Sequence, residues 1–458
     1  MDSNWKKGLK RLIRKVGRDK VLTGPEDLLM YSYDTTPHRH LPQVVVTPTE
    51  VQDVVEAVHF ARRVNIPVVP RGAGTGMSGG SVPIQGGLVL NFERMNRILS
   101  IDVEEKIGIC EPGVVTATFQ AEVEKLGLFY PPDPSSYTIS TLGGNVAENA
   151  GGLRCFKYGV TANYVLGLEF VNAEGEIVPT GYFDNYKSEI NLTGILIGSE
   201  GTLGATTKIA LRLIKRPEYT RTILAPFSSI ERALELVNEV IAKGITPAVM
   251  EFMDEETLSA VTQYLNYDFP HGVAAVLLIE VDGPEDQASQ EGEEIASLCR
   301  IHKAMATEYA DRPGEQERLW KIRREISPSL ARLAPDKINE DVCVPRDQML
   351  SFLKGVKGIA RGHDLLIPTF GHAGDGNFHV NIMYDRRDEG QNTDAQIALE
   401  EIFDLTLQLG GTLSGEHGIG LVKRDYLKKQ YREVELDFMR QVKKAFDPEG
   451  LFNPGKIL

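Results

Sequence analysis

Two histidines flank a short turn in the segment FGHAGDGNFHVN, residues 370–381. Apolar, partly branched residues precede the turn, an Asp-Gly pair supplies turn chemistry, and an alternating strand pattern follows, which predicts a β-hairpin. In a two-residue turn His372 and His379 would lie directly opposite each other, and in a looser turn they would be diagonal neighbours. Either register directs both imidazoles, and Asn381 with them, to one face of the sheet.

A second short segment carries an acid beside a histidine. In SGEHGIG, residues 414–420, Glu416 and His417 have glycines on both sides, a composition too rich in glycine for a scaffold element. Two imidazoles and a carboxylate from a separate loop form a set of two nitrogens and one oxygen that leaves positions open for substrate and water. We therefore predict that His372, His379 and Glu416 hold a divalent metal: zinc, iron(II) or manganese. The competing interpretation is a group of hydrogen-bonded surface polar residues.

A helical pattern upstream carries candidate cations. The segment LWKIRREISPSL, residues 319–330, contains Arg323, Arg324 and Ser327. A guanidinium is the natural bidentate partner of a carboxylate, so Arg323 is a candidate for binding an anionic substrate. An exposed, charged helix face explains the same pattern equally well.

Three glycine-rich loops precede these segments in the chain. They are RGAGTGMSGG (71–80), TLGGNVAENAGG (141–152) and IGSEGTLG (197–204). Gly74, Gly76 and Gly79 match the dinucleotide fingerprint G-x-G-x-x-G, but that fingerprint must open a helix, whereas here Pro83 and GGLVLNF begin another strand. Such loops expose backbone N–H groups that bind anions such as pyrophosphate. Three of them on one β-rich domain predict a large, extended ligand.

The totals restrict the class of protein. A chain of 458 residues is expected to form two or three domains. A net charge of −14 argues against nucleic acid as the main partner. The four cysteines form no C-x-x-C pair, which indicates buried thiols rather than disulfides or an iron–sulfur cluster. No apolar run approaches the roughly 20 residues of a membrane helix and no secretory signal is visible, so a cytoplasmic location is expected.

The predicted elements divide the chain into four regions. They are an N-terminal helical segment (1–40), a β-rich glycine-loop domain (41–217), a domain with an antiparallel sheet and helices on one face (218–410), and a C-terminal segment (411–458). The fold class is therefore α+β. The basic amphipathic helix predicted within residues 4–20 either packs on the body with a solvated basic face or contacts a membrane surface or a partner.

Several motifs taken together resemble those of one family. They are PRGAGTGMSGG, YPPDPSS, TLGGNVAENAGG, GVTANYVLGLE, GSEGTLG, GHAGDGNFHVN, SGEHGIG and FDPEGLFNPGKIL. They are similar to those of the FAD-linked 2-hydroxy-acid dehydrogenases, the glycolate oxidase catalytic subunit and D-lactate dehydrogenase group of the vanillyl-alcohol-oxidase-like flavoproteins. The resemblance extends from about residue 40 to residue 458 in the expected order, and it is much less specific for the substrate than for the family.

The resemblance implies a two-part FAD-binding domain of the vanillyl-alcohol-oxidase type, an α+β substrate (cap) domain with the metal-binding hairpin, and a C-terminal helical segment that returns to the flavin. The first two glycine loops would bind the flavin tail, and the third loop and Asn453 would approach the ring. The cofactor-binding residues implied in this way are Arg71, Gly72, Gly74, Thr75, Gly76, Ser78, Pro132, Asp133, Ser136, Thr141, Gly143, Gly144, Asn149, Gly151, Glu200, Gly201, Gly204 and Asn453.

The same resemblance implies the chemistry. His372, His379 and Glu416 would hold the metal, Asn381 and Arg323 would contact the substrate, and His417 would be the base near the flavin. The expected reaction is oxidation of a D-2-hydroxy acid, D-lactate or glycolate first, to the 2-oxo acid. The alternatives are a D-2-hydroxyglutarate dehydrogenase, an alkyl-glycerone-phosphate-synthase-like transferase, a flavin-free metal hydrolase and a non-catalytic electron-carrying subunit.

The cofactor linkage and the electron acceptor follow from what the motifs contain. In relatives with covalent flavin, a histidine lies in or beside one of these loops. The first glycine loop has no histidine here, so the resemblance implies that FAD binds non-covalently. The chain has no cysteine-rich iron–sulfur segment, so electrons are expected to leave through a partner, either an iron–sulfur subunit or an electron-transferring flavoprotein.

Overall fold

The chain forms two compact units in a computed structural model that describes residues 3–185, 190–265 and 267–458. The first unit comprises residues 1–152, 159–216 and 416–458, and the second comprises residues 153–158 and 217–415. The chain therefore passes from one unit to the other four times. The short segment 153–158 belongs to the second unit although the residues on both sides of it belong to the first.

The strands of the first unit are short. They are β1 (Val21–Leu22), β2 (Val44–Val46), β3 (Val68–Arg71), β4 (Leu88–Asn91), β5 (Ile98–Asp102), β6 (Ile107–Cys110), β7 (Leu128–Phe129), β8 (Val165–Val171), β9 (Ile177–Pro179), β10 (Ala205–Arg212) and β11 (Ile214–Lys215). Those of the second unit are β12 (Tyr219–Phe227), β13 (Val249–Asp254), β14 (Ala275–Gly283), β15 (Glu308–Ala310), β16 (Asp336–Cys343), β17 (Thr369–His372) and β18 (Asn377–Tyr384).

The helices are distributed over both units. In chain order they are α1 (Ser3–Val16), α2 (Pro25–Met30), α3 (Val51–Val64), α4 (Thr116–Glu124), α5 (Leu142–Glu148), α6 (Cys155–Tyr158), α7 (Leu192–Leu196), α8 (Ile230–Ala242), α9 (Glu255–Thr262), α10 (Glu285–Ile301), α11 (Pro313–Arg324), α12 (Ile326–Leu330), α13 (Met349–Gly362), α14 (Glu389–Gln408), α15 (Leu427–Gln430) and α16 (Glu433–Phe446). Helices α6 and α8 to α14 belong to the second unit.

The first unit is built on two main sheets, which gives it a two-part organisation. One has the order β1-β2-β4-β3 with β2, β4 and β3 parallel, and the other has the antiparallel order β5-β6-β10-β8-β9. Helix α1 packs on α3, and the Trp5 and Phe60 rings meet edge to face at 5.5 Å. The apolar face of α1 is thus buried in the core, and its basic residues stay exposed.

The C-terminal residues 416–458 belong to the first unit. Phe452 forms a parallel bridge with Val68 and is fully buried, and the Asn453 backbone N–H donates to the Val68 carbonyl at 2.8 Å. The end of the chain therefore extends the edge of the parallel sheet that carries the first glycine loop.

The second unit is a seven-stranded antiparallel sheet of order β15-β12-β14-β13-β17-β18-β16. The prediction that helices cover one face is wrong. Helices α9, α11 and α12 pack on the face that carries Phe370, whereas the opposite face packs Phe378 against Phe352 of α13. Both faces carry large apolar residues because alternation along each strand places side chains on both sides.

The segment 153–158 is fastened to the second unit by its side chains. Lys157 Nζ donates to the carbonyl and the carboxylate of Asp282, both at 2.5 Å, and the Tyr158 hydroxyl donates to the same carboxylate at 2.8 Å. Phe156 lies against the turn between β17 and β18, where a Cβ at Gly374 would be 2.5 Å from its ring. The segment thus supports the histidine hairpin.

Candidate active site

The histidine hairpin is formed by β17 and β18. His372 pairs with Asn377, and His379 pairs with Phe370, so the looser of the two predicted turns is the one adopted. The two histidines are diagonal neighbours on one face of the sheet, with ring centroids 5.3 Å apart and ring planes perpendicular. Both side chains are buried, so this register brings two imidazoles together away from bulk water.

Glu416 joins the two histidines. Its chain position is fixed by Gly415, whose backbone N–H donates to Asp341 at 2.7 Å, and Asp341 is the cross-strand partner of His379. His372, His379 and Glu416 each offer one ligand atom, and these atoms lie within 4.8 Å of one another. Two nitrogens and one carboxylate oxygen at this spacing fit a divalent metal.

A buried acid orients His372. Glu251 in β13 lies opposite His372 in the sheet and has no exposed surface. Its carboxylate bonds to His372 Nδ1. Because a carboxylate only accepts hydrogen bonds, Nδ1 carries the proton, and Nε2 keeps the lone pair that a metal would use. Burial acts to raise the pKa of Glu251, but the electrostatic attraction and the hydrogen bonds of His372 and Arg323 outweigh it, so the pKa lies below its ordinary value.

Arg323 reaches the same carboxylate from α11. Its Nε donates to Glu251 at 2.5 Å, and its guanidinium lies over the Phe370 ring at 4.7 Å. Phe370 in turn contacts His379, with ring centroids 5.1 Å apart. Arg323 is buried, whereas its neighbour Arg324 is exposed and pairs with Glu317. The exposed-face interpretation therefore describes Arg324 and not Arg323.

Asn381 lies on the histidine face of β18 and is fully buried. Its amide donates to the carbonyls of His379 and Pro368 at 3.1 and 3.4 Å, and its oxygen accepts from Asn339 at 2.6 Å. These bonds tie the hairpin to β16. Direct contact of Asn381 with substrate stays a prediction.

The first and second glycine loops meet in the first unit. A Cβ at Gly72 would lie 2.3 Å from the hydroxyl of Thr141. Gly74 has a φ of +72° and lies against the Arg71 guanidinium, which donates to the carbonyl of Tyr33 at 2.7 Å. Only glycine allows these close approaches, and glycine-rich loops of this kind can present backbone N–H groups to an anion. Part of the second loop, expected as irregular, forms helix α5, which the Thr141 side chain caps.

The remaining cofactor-binding predictions are distributed around these loops. Asp133 lies against Gly152, where a Cβ would be 2.4 Å from its carbonyl, and the Pro132 carbonyl accepts from Gln120 at 2.9 Å. Ser78 accepts the backbone N–H of Leu421 at 2.7 Å through its carbonyl. For every residue of the predicted cofactor-binding set, including Thr75, Gly76, Ser136, Gly143, Gly144, Asn149, Gly151, Gly201 and Gly204, a role in cofactor binding stays a prediction.

Asn453 and Glu200 join the third loop to the rest of the first unit. The Asn453 amide donates to the carbonyls of Gly80 and Glu200, both at 2.8 Å. The Glu200 carboxylate accepts the backbone N–H groups of Ile419 and Gly420, both at 2.7 Å. Burial raises the pKa of Glu200 to about 7 although these donors act to lower it. Glu200 thus holds the loop that carries His417.

Two buried residues near these groups, Glu251 and Lys456, were not predicted from the sequence. Glu251 lies within VMEFMD, and the signal was an acid inside an otherwise apolar strand pattern. Lys456, near the C-terminus, is buried and donates to the carbonyls of Gly80 and Val82 at 3.1 and 2.7 Å. Burial lowers its pKa to about 8. Nothing in the sequence around Lys456 distinguishes it from an exposed lysine.

Comparison with known proteins assigns the chain to a family. Residues 42–181 match the family described as "FAD binding domain", and residues 216–457 match that described as "FAD linked oxidases, C-terminal domain". The chain belongs to the FAD-linked oxidases. This FAD-linked oxidase is accordingly an FAD-dependent oxidoreductase, as the resemblance implied.

Curated relatives of this FAD-linked oxidase match over almost the full length. The glycolate oxidase subunit GlcD of Bacillus subtilis (strain 168) is 41% identical, with 95% of each chain covered. The D-lactate dehydrogenase of Anaerostipes hadrus is 32% identical, with 97% of this chain and 96% of the relative covered.

Solved structures show the fold. The structure of p-cresol methylhydroxylase aligns with a TM-score of 0.81 at 18% identity, and the alignment covers 100% of this chain and 97% of that protein's chain. An alkyldihydroxyacetonephosphate synthase covers 99% of this chain and 86% of its own at 17% identity and a TM-score of 0.77. The predicted vanillyl-alcohol-oxidase-type fold is confirmed. None of the helices in the described ranges has the length and apolar character that crossing a membrane requires.

Proposed function

We propose that this FAD-linked oxidase converts a small D-2-hydroxy acid, D-lactate or glycolate first, into the 2-oxo acid. The observation that carries the proposal is the grouping of His372, His379 and Glu416, with Arg323 joined to it through Glu251. A metal site beside a guanidinium suits a substrate with a hydroxyl next to a carboxylate. The names of the two relatives, a glycolate oxidase subunit and a D-lactate dehydrogenase, point to the same substrate class.

His372, His379 and Glu416 would hold the metal through Nε2 of His372, a nitrogen of His379 and a carboxylate oxygen. When bound, a divalent metal supplies Lewis acidity, which lowers the pKa of a coordinated hydroxyl. The chain's own contribution is to fix the ligands: Glu251 sets the tautomer of His372, and Asp341 holds Gly415 next to Glu416.

The remaining roles are assigned by chemistry. Arg323 would bind the substrate carboxylate through its terminal nitrogens, since its Nε is taken by Glu251. His417 would accept the hydroxyl proton as general base. Asn381 would keep the hairpin in register with β16 through its hydrogen bonds to the sheet.

FAD would be bound non-covalently by the three glycine loops. Asn453 would hold the first and third loops together through its hydrogen bonds to Gly80 and Glu200. The close approach of Gly72 and Thr141 and the left-handed backbone at Gly74 fit loops that follow a cofactor closely. When bound, FAD supplies the site that accepts a hydride. Denaturation with trichloroacetic acid should release all the flavin into the supernatant, and flavin fluorescence retained on the protein band would contradict non-covalent binding.

Electrons would leave through a partner protein, either an iron–sulfur subunit or an electron-transferring flavoprotein, in the cytoplasm. The relative in Bacillus subtilis is named as a subunit. The chain's cysteines at 110, 155, 299 and 343 form no disulfide in the described residues, and they are too dispersed along the sequence to bind a cluster of their own.

The decisive experiment is anaerobic reduction of the flavin by a panel of D- and L-2-hydroxy acids, with metal content measured on the same sample. Bleaching of the flavin by D-lactate or glycolate, but not by the L-lactate control, is the expected result. Bleaching by D-2-hydroxyglutarate alone would move the assignment to that acid. No bleaching by any hydroxy acid would contradict the proposal and favour a transferase like the alkyldihydroxyacetonephosphate synthase whose fold the chain shares.

A further inference from the structure

Glu251 is the one residue in the described part of the site whose two carboxylate oxygens serve two different proposed functions. One oxygen bonds to Nδ1 of His372, and the other accepts from Nε of Arg323. The side chain has no exposed surface, so water does not compete for either oxygen. A buried carboxylate with both oxygens engaged holds both partners in one geometry.

The aromatic ring of Phe370 provides a second connection, between Arg323 and His379. The Arg323 guanidinium lies over this ring, and the ring contacts His379. Arg323 is therefore joined to each of the two histidines by an unbroken chain of contacts, one polar and one aromatic. A displacement of the guanidinium has to move Glu251, Phe370 or both.

We infer that Glu251 is a positioning residue that couples metal binding at the histidines to the binding of the substrate carboxylate by Arg323. This inference rests on the proposed function. With Nδ1–H held by Glu251, Nε2 of His372 would be the nitrogen that holds the metal. With Nε of Arg323 held by the same acid, the four N–H donors on its terminal nitrogens stay oriented for a carboxylate.

The coupling has a thermodynamic consequence. If metal binding restricts the positions that Glu251 can adopt, it also restricts those of Arg323 and increases the affinity for the substrate carboxylate. Reciprocity then requires that a bound carboxylate increases the affinity for the metal by the same factor. Arg323 is not a metal ligand, so an effect of its substitution on metal affinity in the absence of substrate would be carried by Glu251 and Phe370.

The test is the substitution Glu251→Gln in the holoenzyme. Glutamine has the same shape but offers one accepting oxygen and one donating NH2 group, so it cannot accept from both His372 and Arg323. We expect the affinity for Zn²⁺ and for Mn²⁺, measured by competition with a chelator, to fall by about 10- to 100-fold. We also expect KM for D-lactate to stay raised by about tenfold when the metal is saturating, with a smaller change in kcat.

The matched control is Asp254→Asn, which replaces another buried acid of the same strand. Asp254 caps α9 by accepting the Thr257 N–H at 3.0 Å and contacts neither His372 nor Arg323 in the described structure. It should leave metal affinity and KM within twofold of the wild type. An equal loss in both variants would mean general loosening of β13 and would overturn the inference.

A second variant keeps the inference testable if Glu251→Gln does not fold. Arg323→Lys retains the charge but removes the planar fork, and it should weaken metal binding at least threefold without substrate. Unchanged metal affinity in Arg323→Lys, or a KM in Glu251→Gln that returns to the wild-type value at saturating metal, would overturn the coupling. A wild-type enzyme that binds no metal, or whose flavin no hydroxy acid bleaches, would instead overturn the proposed function.

Discussion

The two faces of the seven-stranded sheet differ in what they bury. One face packs aromatic rings: Phe252 and Phe378 meet edge to face with centroids 6.0 Å apart, and Phe378 stacks on Phe352 of α13 at 5.6 Å. These rings carry no group that could titrate or bind a metal. This face supplies packing, and we name it the apolar face.

The opposite face, which we name the polar face, buries ionisable groups in a row across the strands. They are Glu280 and Asp282 in β14, Glu251 in β13, His372 in β17, His379 in β18 and Asp341 in β16. Most of the acids have a cation or an N–H donor at hydrogen-bonding distance, such as Lys157 at Asp282 and Arg323 at Glu251. The same strands build both faces, and strand alternation places this row of ionisable groups on one face, beside the apolar residues that α9, α11 and α12 cover.

The largest expected effect is on the polar face. His379→Ala removes a proposed metal ligand and should lower turnover by roughly 10³-fold or more, because Lewis-acid stabilisation is worth several kcal/mol. FAD content and the melting temperature should stay near wild-type values, since the ring adds little to the apolar core. Turnover and flavin absorbance of the purified variant measure this, and full activity after exhaustive chelation of the wild type would contradict it.

The next effect is on the apolar face. Phe378→Ala should destabilise the second unit by about 3–5 kcal/mol, because it leaves a cavity between Phe252 and Phe352. Urea unfolding followed by circular dichroism measures the loss.

Ile397→Ala on α14 is the matched control for Phe378→Ala, since its side chain is 43% exposed. It should cost less than about 1 kcal/mol. Equal losses in the two variants would mean that the rings are not the main source of packing on this face.

A pH effect is expected where an acid lies on the apolar face. Burial raises the pKa of Asp254 to about 7, so the folded state binds a proton more tightly than the unfolded state. The stability from this group is fully present below the unfolded pKa, near 4, and is lost as the pH rises through 7. Asp254→Asn should remove this part of the pH dependence, by up to a few kcal/mol, in unfolding measured between pH 4 and 8. An identical pH profile in variant and wild type would exclude the raised pKa.

The smallest effect is expected at Arg324. Its guanidinium is exposed and pairs with exposed Glu317, and such pairs contribute about 0–1 kcal/mol. Arg324→Ala should leave KM for D-lactate within twofold, whereas Arg323→Ala should raise it more than tenfold. Similar KM values for the two variants would contradict the proposal that the buried Arg323, and not the exposed Arg324, binds the substrate.

Local sequence signals predicted the hairpin and its histidine face well. The Asp-Gly turn and the alternation after it are short-range features. The loop 373–376 is two residues longer than the two-residue turn, so both imidazoles stay on the same side in either register. Which of the two registers forms depends on the neighbouring strand: β13 pairs with β17 and places Glu251 opposite His372. That pairing joins residues 121 positions apart, so no local pattern could indicate it.

The same limit explains the other differences. Helices on both faces of the sheet follow from how α9, α11 and α12 pack in three dimensions, which their individual patterns do not contain. The family resemblance implies that Glu200 contacts the cofactor, and this role stays a prediction. Its carboxylate binds the backbone at Ile419 and Gly420, a contact across more than 200 positions of the chain that no local pattern indicates.

The segment 153–158 determines how this protein could be divided or recombined. Lys157 and Tyr158 donate hydrogen bonds to the buried carboxylate of Asp282. A fragment running from 217 to 415 would therefore keep this buried acid but lack both donors. Neither half can be excised as one continuous piece of gene. Exchange of substrate specificity between homologues therefore requires transplanting this hexapeptide together with the domain it fastens, and crossovers that ignore it should yield insoluble chimeras.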